Sequence, residues 1–278
     1  MSEKNQERMK SARERLQRER ELGKQRDKRW RALIVSAAVV GVMGLAAVAG
    51  LIAANAGKDD GGSDAGPLLA PSGVAGKEQL ALPVGASDAP STLTVWEDFR
   101  CPACAQFENA FRKTIHDLVQ AGQIKVEYHL ATIIDGNMGG SGSLRAANAA
   151  ACAQDAGKFA PYHDVLYQNQ PPETDDAFAQ NSKLIALAGK VEGLDTPAFR
   201  SCVEEGKHDG WVNKSNTAFQ NGGFKGTPTV QLNGESVFPQ KGSEQISIAN
   251  FKKWVAEANK GKNPGTESPP AGPAPAAS

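Results

Sequence analysis

Two of the chain's four cysteines stand two residues apart in Phe99-Arg100-Cys101-Pro102-Ala103-Cys104-Ala105-Gln106-Phe107. A pair at this spacing can ligate a metal, close a small structural loop, or exchange a disulfide with another molecule. Structural zinc sites usually gather four ligands in two close pairs. Here Cys152 and Cys202 stand alone, 50 residues apart, and His116, His129, His163 and His208 form no paired spacing. A disulfide confined to CxxC closes too small a loop to stabilise much. Exchange chemistry is the favoured reading. It calls for no metal and no organic cofactor, because the redox-active group is the Cys101–Cys104 disulfide itself.

Exchange needs an activated thiol, and the flanking sequence supplies one. Leu93-Thr94-Val95-Trp96-Glu97-Asp98-Phe99 reads as a strand running straight into the pair. From Pro102 to about Ala121, Phe107, Phe111, Ile115, Leu118 and Val119 follow helical spacing, and Gly122 stands where a C-terminal cap belongs. Cys101 then sits at the helix N-terminus, where unpaired N–H groups and the helix dipole favour a thiolate. Pro102 fits the first turn, where its missing N–H goes unneeded. Cys104 is one turn further on. The expected cycle forms a mixed disulfide at Cys101 and resolves it with Cys104. Arg100 adds positive charge beside the site, although an arginine there is more often a solvated surface residue.

Further along, Ile124, Val126, Tyr128 and Leu130 alternate with polar residues as a second strand. Residues from about 143 to 222 are Ala-rich with helical periodicity. Thr229 to Leu232, Asn233-Gly234 and Glu235 to Val237 make a hairpin, and Ile248, Phe251, Val255 and Ala258 face one side of a closing helix. Pro228 either starts the hairpin strand, since it cannot donate to a ladder, or marks a cis Thr227–Pro228 turn. In an exported protein the leftover Cys152 and Cys202 most often pair. Closing a loop of that length contributes about 4 kcal/mol in the chain-entropy model. A second, relay dithiol is the alternative.

Export follows from the N-terminal half of the sequence. Lys+Arg and Asp+Glu both count 31 in 278 residues, so global charge names no partner, but the distribution is uneven. Residues 1–31 carry twelve basic and six acidic residues. Ala32 to Ala54 is a run of 23 uncharged residues, about the 20 that a bilayer core requires. It exceeds the apolar region usual for a cleaved signal peptide. The run is therefore read as a transmembrane anchor, and the basic segment as its cytoplasmic flank rather than a nucleic-acid-binding tail. Everything after the span is placed outside the cytoplasm, where disulfides persist. Residues 55–77 read as a flexible linker, 78–260 as one domain, and 261–278 as a disordered Pro/Ala-rich tail.

Strand, CPAC helix, helical segment, Thr-Pro before a hairpin and final helix together resemble a thioredoxin fold. More narrowly, they resemble the bacterial DsbA-like thiol:disulfide oxidoreductases. Cys101 and Pro228 are 127 positions apart, room for the helical domain such proteins insert, here at about 142–224. The resemblance implies an α/β fold, with Cys101 as exposed nucleophile and Cys104 as buried resolving thiol. It places Pro228 as a cis-proline opposite them, with Thr227 shaping potential and substrate contact. It also implies a second cysteine pair in the helical part, as membrane-tethered relatives carry. The expected substrates are unfolded secreted or membrane proteins. A membrane reoxidase of the DsbB or vitamin K epoxide reductase-like type is the expected partner. Two departures stand out. The acid six residues before the nucleophile is replaced by Val95, so a proton-relay role falls to Glu97 or is absent, a solvated or capping carboxylate being an equal reading. The inter-cysteine pair Pro102-Ala103 lacks a thiolate-stabilising histidine. An oxidase is the leading reading, a tethered reductase or isomerase the second, and a non-catalytic binding or chaperone module the third.

Overall fold

The computed structural model describes residues 68–267. The basic segment 1–31, the apolar run 32–54 and the outer parts of the expected linker and tail lie outside the described residues. Among the described residues no helix is long and apolar enough to cross a membrane.

A five-stranded sheet of order β1-β3-β2-β4-β5 organises the domain. Its strands are β1 (Leu82–Val84), β2 (Thr92–Glu97), β3 (Lys125–Leu130), β4 (Thr229–Leu232) and β5 (Glu235–Ser236). β2 and β3 run parallel, joined by helix α1 (Pro102–Gln120) in a crossover, whereas β4 lies antiparallel to β2, with Val95 opposite both Tyr128 and Val230. The expected β2 and hairpin are present, with β2 ending at Glu97. The Asn233-Gly234 turn has positive φ at both residues, as a two-residue hairpin of this sequence requires. Alternation along β2 sends Leu93 and Val95 into the main core with Phe107, Phe111 and Ile115 of α1. The closing helix α8 (Ile248–Ala258) adds Phe251, Trp254 and Val255 to the same core. Trp96 faces the other side, stacked on His129 and packed against Phe219.

Between β3 and β4 come six α-helices and a short 3-10 turn (Ala177–Ala179): α2 (Ile133–Met138), α3 (Gly142–Asp155), α4 (Phe159–Gln168), α5 (Asn181–Ala188), α6 (Pro197–Glu205) and α7 (Asp209–Asn221). α3 is central. Its Ala146, Ala147, Ala149, Ala150, Ala151 and Ala153 are all fully buried, and their small side chains let neighbouring helices approach closely. Cys152 in α3 is bonded to Cys202 in α6 across a Cα separation of 5.9 Å. Thr196 caps α6 by accepting from the Phe199 amide at 3.2 Å, with Pro197 next.

Both ends of the domain differ from their low-complexity reading. In the expected linker, Ser72 N donates to Asp155 at 2.8 Å and Gln154 Nε2 to the Ser72 carbonyl at 3.0 Å. The imidazole of His208 bridges the Leu69 carbonyl at 2.8 Å and Asp155 at 3.0 Å. In the expected tail, the amides of Thr266 and Glu267 both reach Asp88 Oδ1 at 2.9 Å, and Gly265 N donates to the Gly122 carbonyl at 2.9 Å. A Cβ at Gly122, whose φ is +63°, would collide with the Gly265 backbone. These segments are ordered by backbone and carboxylate hydrogen bonds, which composition does not reveal. The sequence also hid β1 and a second small hairpin, β6 (Gln240–Lys241) with β7 (Glu244–Gln245), because strands this short carry almost no period.

Candidate active site

Cys101 occupies the N-cap of α1 in an extended conformation, with Pro102 following in the first turn. The Thr227–Pro228 peptide is cis and faces it: Cys101 Sγ lies 3.3 Å from the Thr227 carbonyl. Thr227 Oγ1 is buried without a hydrogen-bond partner, a donor that a thiolate at Cys101 can accept from. Gln170 Nε2 donates to the carbonyls of Phe99 (2.8 Å) and Cys101 (3.0 Å), fixing the strand-to-helix turn from the helical insertion. Both cysteines are free thiols. Cys104 is fully buried, and Cys101 is less exposed than the resemblance implies, at 6%.

The two thiols have been driven apart in acidity. A hydrogen bond from Cys104 lowers Cys101 to about 7, against desolvation, with help from Thr227 and from the backbone at Cys104. Burial pushes Cys104 well above the usual thiol range, reinforced by Cys101 itself and by the charge of Glu97. At neutral pH one sulfur is a nucleophile and leaving group, while the other keeps its proton. Ala103 contributes no charge between them, so the hydrogen bond from Cys104, with Thr227 and the Cys104 backbone, does what an inter-cysteine histidine would otherwise do.

Arg100 is not a solvated residue. It is buried, with its guanidinium 2.6 Å from Asp135 and 3.0 Å from Asp176, and it donates to the Gly139 and Glu173 carbonyls. Its positive charge faces these acids and ties β2 to the insertion. Asp98, also buried, accepts from the amides of Arg100 (2.8 Å) and Ile134 (2.9 Å); burial raises it to about 6 despite them.

Glu97 is neither solvated nor a cap. It is fully buried at the end of β2, with Oε1 2.9 Å from His163 Nε2 of α4. Glu108 of α1 completes a group whose donor atoms lie within 4.8 Å of one another. Burial alone would lower His163, but Glu97 and Asp164 raise it to about 10. Burial raises Glu108 to about 8, opposed by His163 and reinforced by Glu97 and Asp164. Sequence reasoning missed both partners. Glu108 was legible in principle as a carboxylate on the apolar face of α1, but His163 lies 66 residues from Glu97 and carries no local signal.

Comparison with known proteins agrees with this geometry. The thioredoxin family profile matches residues 78–257. A probable disulfide bond formation protein D from Bacillus cereus is 24% identical over 168 residues, 59% of this chain and 76% of that protein. The reduced form of the disulfide bond oxidoreductase DsbG from Mycobacterium tuberculosis superposes with a TM-score of 0.56 at 27% identity, covering 66% of this chain and 89% of that one. DsbA from the same organism gives 0.55 at 28% identity, covering 66% and 94%. Relatives, family and fold thus converge on one chemistry, disulfide exchange with protein substrates. This chain belongs to the thioredoxin family, among its DsbA-type thiol:disulfide oxidoreductases.

Proposed function

We propose that the protein is an exported, membrane-tethered oxidase that donates the Cys101–Cys104 disulfide to secreted and membrane proteins as they fold. One observation carries this reading: Cys101 stands at the α1 N-terminus opposite the cis Thr227–Pro228 peptide, where the hydrogen bond from Cys104, ahead of Thr227 and the backbone at Cys104, lowers its thiol to about 7. A stabilised thiolate favours the reduced form and so makes the disulfide a better oxidant. In each turnover a substrate thiolate attacks Cys101 Sγ, the Cys101–Cys104 bond breaks, and Cys104 takes the electron pair. The substrate's second thiolate then attacks the mixed disulfide and releases Cys101. Two electrons remain in the cysteine pair, and a membrane reoxidase of the DsbB or vitamin K epoxide reductase-like type removes them. Tethering is supported by the uncharged run 32–54 and the basic residues ahead of it.

A thiol near 7 also suits thioredoxin-type reductants, which makes a tethered reductase the second reading. The reduction potential separates the two. Equilibration of the purified protein with glutathione buffers is expected to give a value near about −120 mV, that of a strong oxidant. A value near about −270 mV would assign the reductase. Retention of exchange activity by Cys101→Ser would reject both.

A further inference from the structure

The turn that carries Cys101 is held from outside the sheet and α1. Pro102 follows Cys101, so the peptide between them has no N–H, and its carbonyl is the handle by which it can be fixed. Ala105 N reaches that carbonyl at 3.2 Å along the helix, and Gln170 Nε2 reaches it at 3.0 Å from the segment after α4. The same nitrogen donates to the Phe99 carbonyl at 2.8 Å. A side-chain amide has two N–H bonds, so both are used, one on each side of Arg100. Cys101 N completes the turn at the Asp98 carbonyl, 2.9 Å away. The consecutive peptide planes from Phe99 to Pro102 are then all fixed.

Gln170 is itself firmly mounted. The last turn of α4 is tied to α1 by Asn109 Nδ2, which donates to the Tyr167 carbonyl at 3.3 Å. Pro171 and Pro172 follow Gln170, and each proline restricts both its own backbone and that of the residue before it. Beyond them the segment closes on Arg100: the Glu173 carbonyl accepts from Nη2 at 3.2 Å, and Asp176 lies 3.0 Å from Nη1. A Cβ at Gly140 or Gly142 would collide with Asp176 and press on Arg100. Phe99, Arg100 and Cys101 are thus gripped in succession by residues 170–176 of the insertion.

We propose that Gln170 is a positioning residue for disulfide exchange: it holds the Cys101 turn so that Sγ stays aimed at the Cys104 amide and at Thr227. The proposal rests on the exchange reading above. Aim matters because the Cys104 thiol, Thr227 and the Cys104 amide all stabilise the thiolate through hydrogen bonds, and each such bond weakens steeply as its angle departs from ideal. Cys101 holds an extended N-cap conformation with ψ 118°. Rotation about that bond would swing the sulfur off the end of α1, and it cannot occur without moving the carbonyl that Gln170 holds. The amide also turns its positive end toward the carbonyl oxygens of Phe99 and of Cys101 itself, offsetting their negative ends beside the residue where the thiolate forms.

The test has two readouts on the full-length protein in detergent: the pH profile of Cys101 alkylation in the reduced form, and the equilibrium of the Cys101–Cys104 disulfide with glutathione. Gln170→Met keeps the length of the side chain and removes both donors. Its alkylation midpoint should rise, slowing the reaction at pH 6 by about three- to tenfold. The glutathione equilibrium should move toward the disulfide by a similar factor, because a less stable thiolate makes a weaker oxidant. Gln170→Glu sets a carboxylate against the same two carbonyls and should move both readouts further than methionine does. Thr196→Ala uncaps α6 in the same insertion and should lower urea stability with both readouts unchanged. Unchanged readouts in the two Gln170 variants would overturn the proposal. So would an equal shift in Thr196→Ala, which would make the effect a general loosening of the insertion. With exchange still dependent on Cys101, either result rejects only the role of Gln170. Exchange that survives Cys101→Ser rejects the exchange reading itself.

Discussion

Replacing Cys104 with alanine, and separately with serine, measures how much of the ionisation of Cys101 comes from its neighbour. The Cys101 thiol is lowered from 9.0 to about 7, with the hydrogen bond from Cys104 the largest cause and Thr227 and the backbone amide smaller ones. At pH 7 about half the molecules then carry a thiolate, against about one in a hundred for an unperturbed thiol, a difference of about 2.7 kcal/mol. Alanine removes the donor, whereas a serine hydroxyl keeps one in the same place. The rate of Cys101 alkylation against pH reports the midpoint directly, since only the thiolate reacts. Cys104→Ala should raise the midpoint by about one unit or more, making alkylation at pH 6 about tenfold slower, while Cys104→Ser stays close to the wild-type reduced protein. If both variants titrate alike near 7, the helix terminus and Thr227 suffice and the sulfur-to-sulfur hydrogen bond is not what activates Cys101.

Three further outcomes test other parts of the structure. Arg100→Met strands Asp135 and Asp176 against one another, and urea unfolding should show a loss of about 3–5 kcal/mol; a loss below about 1 kcal/mol would mean the acids reach water. Removing Cys152 and Cys202 together opens a closure of sequence separation 50 and should lower stability by about 4 kcal/mol, with exchange activity per folded molecule unchanged. Loss of that activity would make the pair a relay. Glu108→Gln should alter the pH dependence of stability. The native Glu108 titrates near 8 against the usual 4.5, so between these values the native state holds a proton that the unfolded chain has released. Wild-type stability therefore declines across that window, and the variant's relative gain should grow from about pH 5 to 8 and then level off.

The sequence made the redox centre legible because its determinants are local. A strand, CPAC and an amphipathic helix lie within thirty residues, and the Asn233-Gly234 turn states its own conformation. The proline after Thr227 gained meaning only from its distance to the cysteines. What stayed hidden was long-range or unperiodic. Arg100 looked like a surface charge because nothing near it in sequence announces Asp135 and Asp176, which meet it only once the insertion folds back. Glu97 was visible as an acid without the Val95 position's usual role, yet its environment depends on His163, brought in by α4. The ends read as low-complexity tethers because their order rests on backbone hydrogen bonds to Asp155 and Asp88, available to almost any side chain.

The N-terminal attachment determines where a mechanical load would enter the domain. Force applied to the chain ahead of residue 68 would reach the protein through Ser72 and Leu69, at Asp155 and His208. Asp155 is the last residue of α3, one turn beyond Cys152, and Lys207 closes the circuit from the α6 side at 2.7 Å. The pull is thus received by two helices joined by a covalent Cys152–Cys202 bond and shared between them before it reaches the sheet. A pull on the segment ahead of residue 68 therefore first meets the insertion, at the ends of α3 and α6, rather than β2 and the N-terminal turn of α1, where the reactive sulfurs sit.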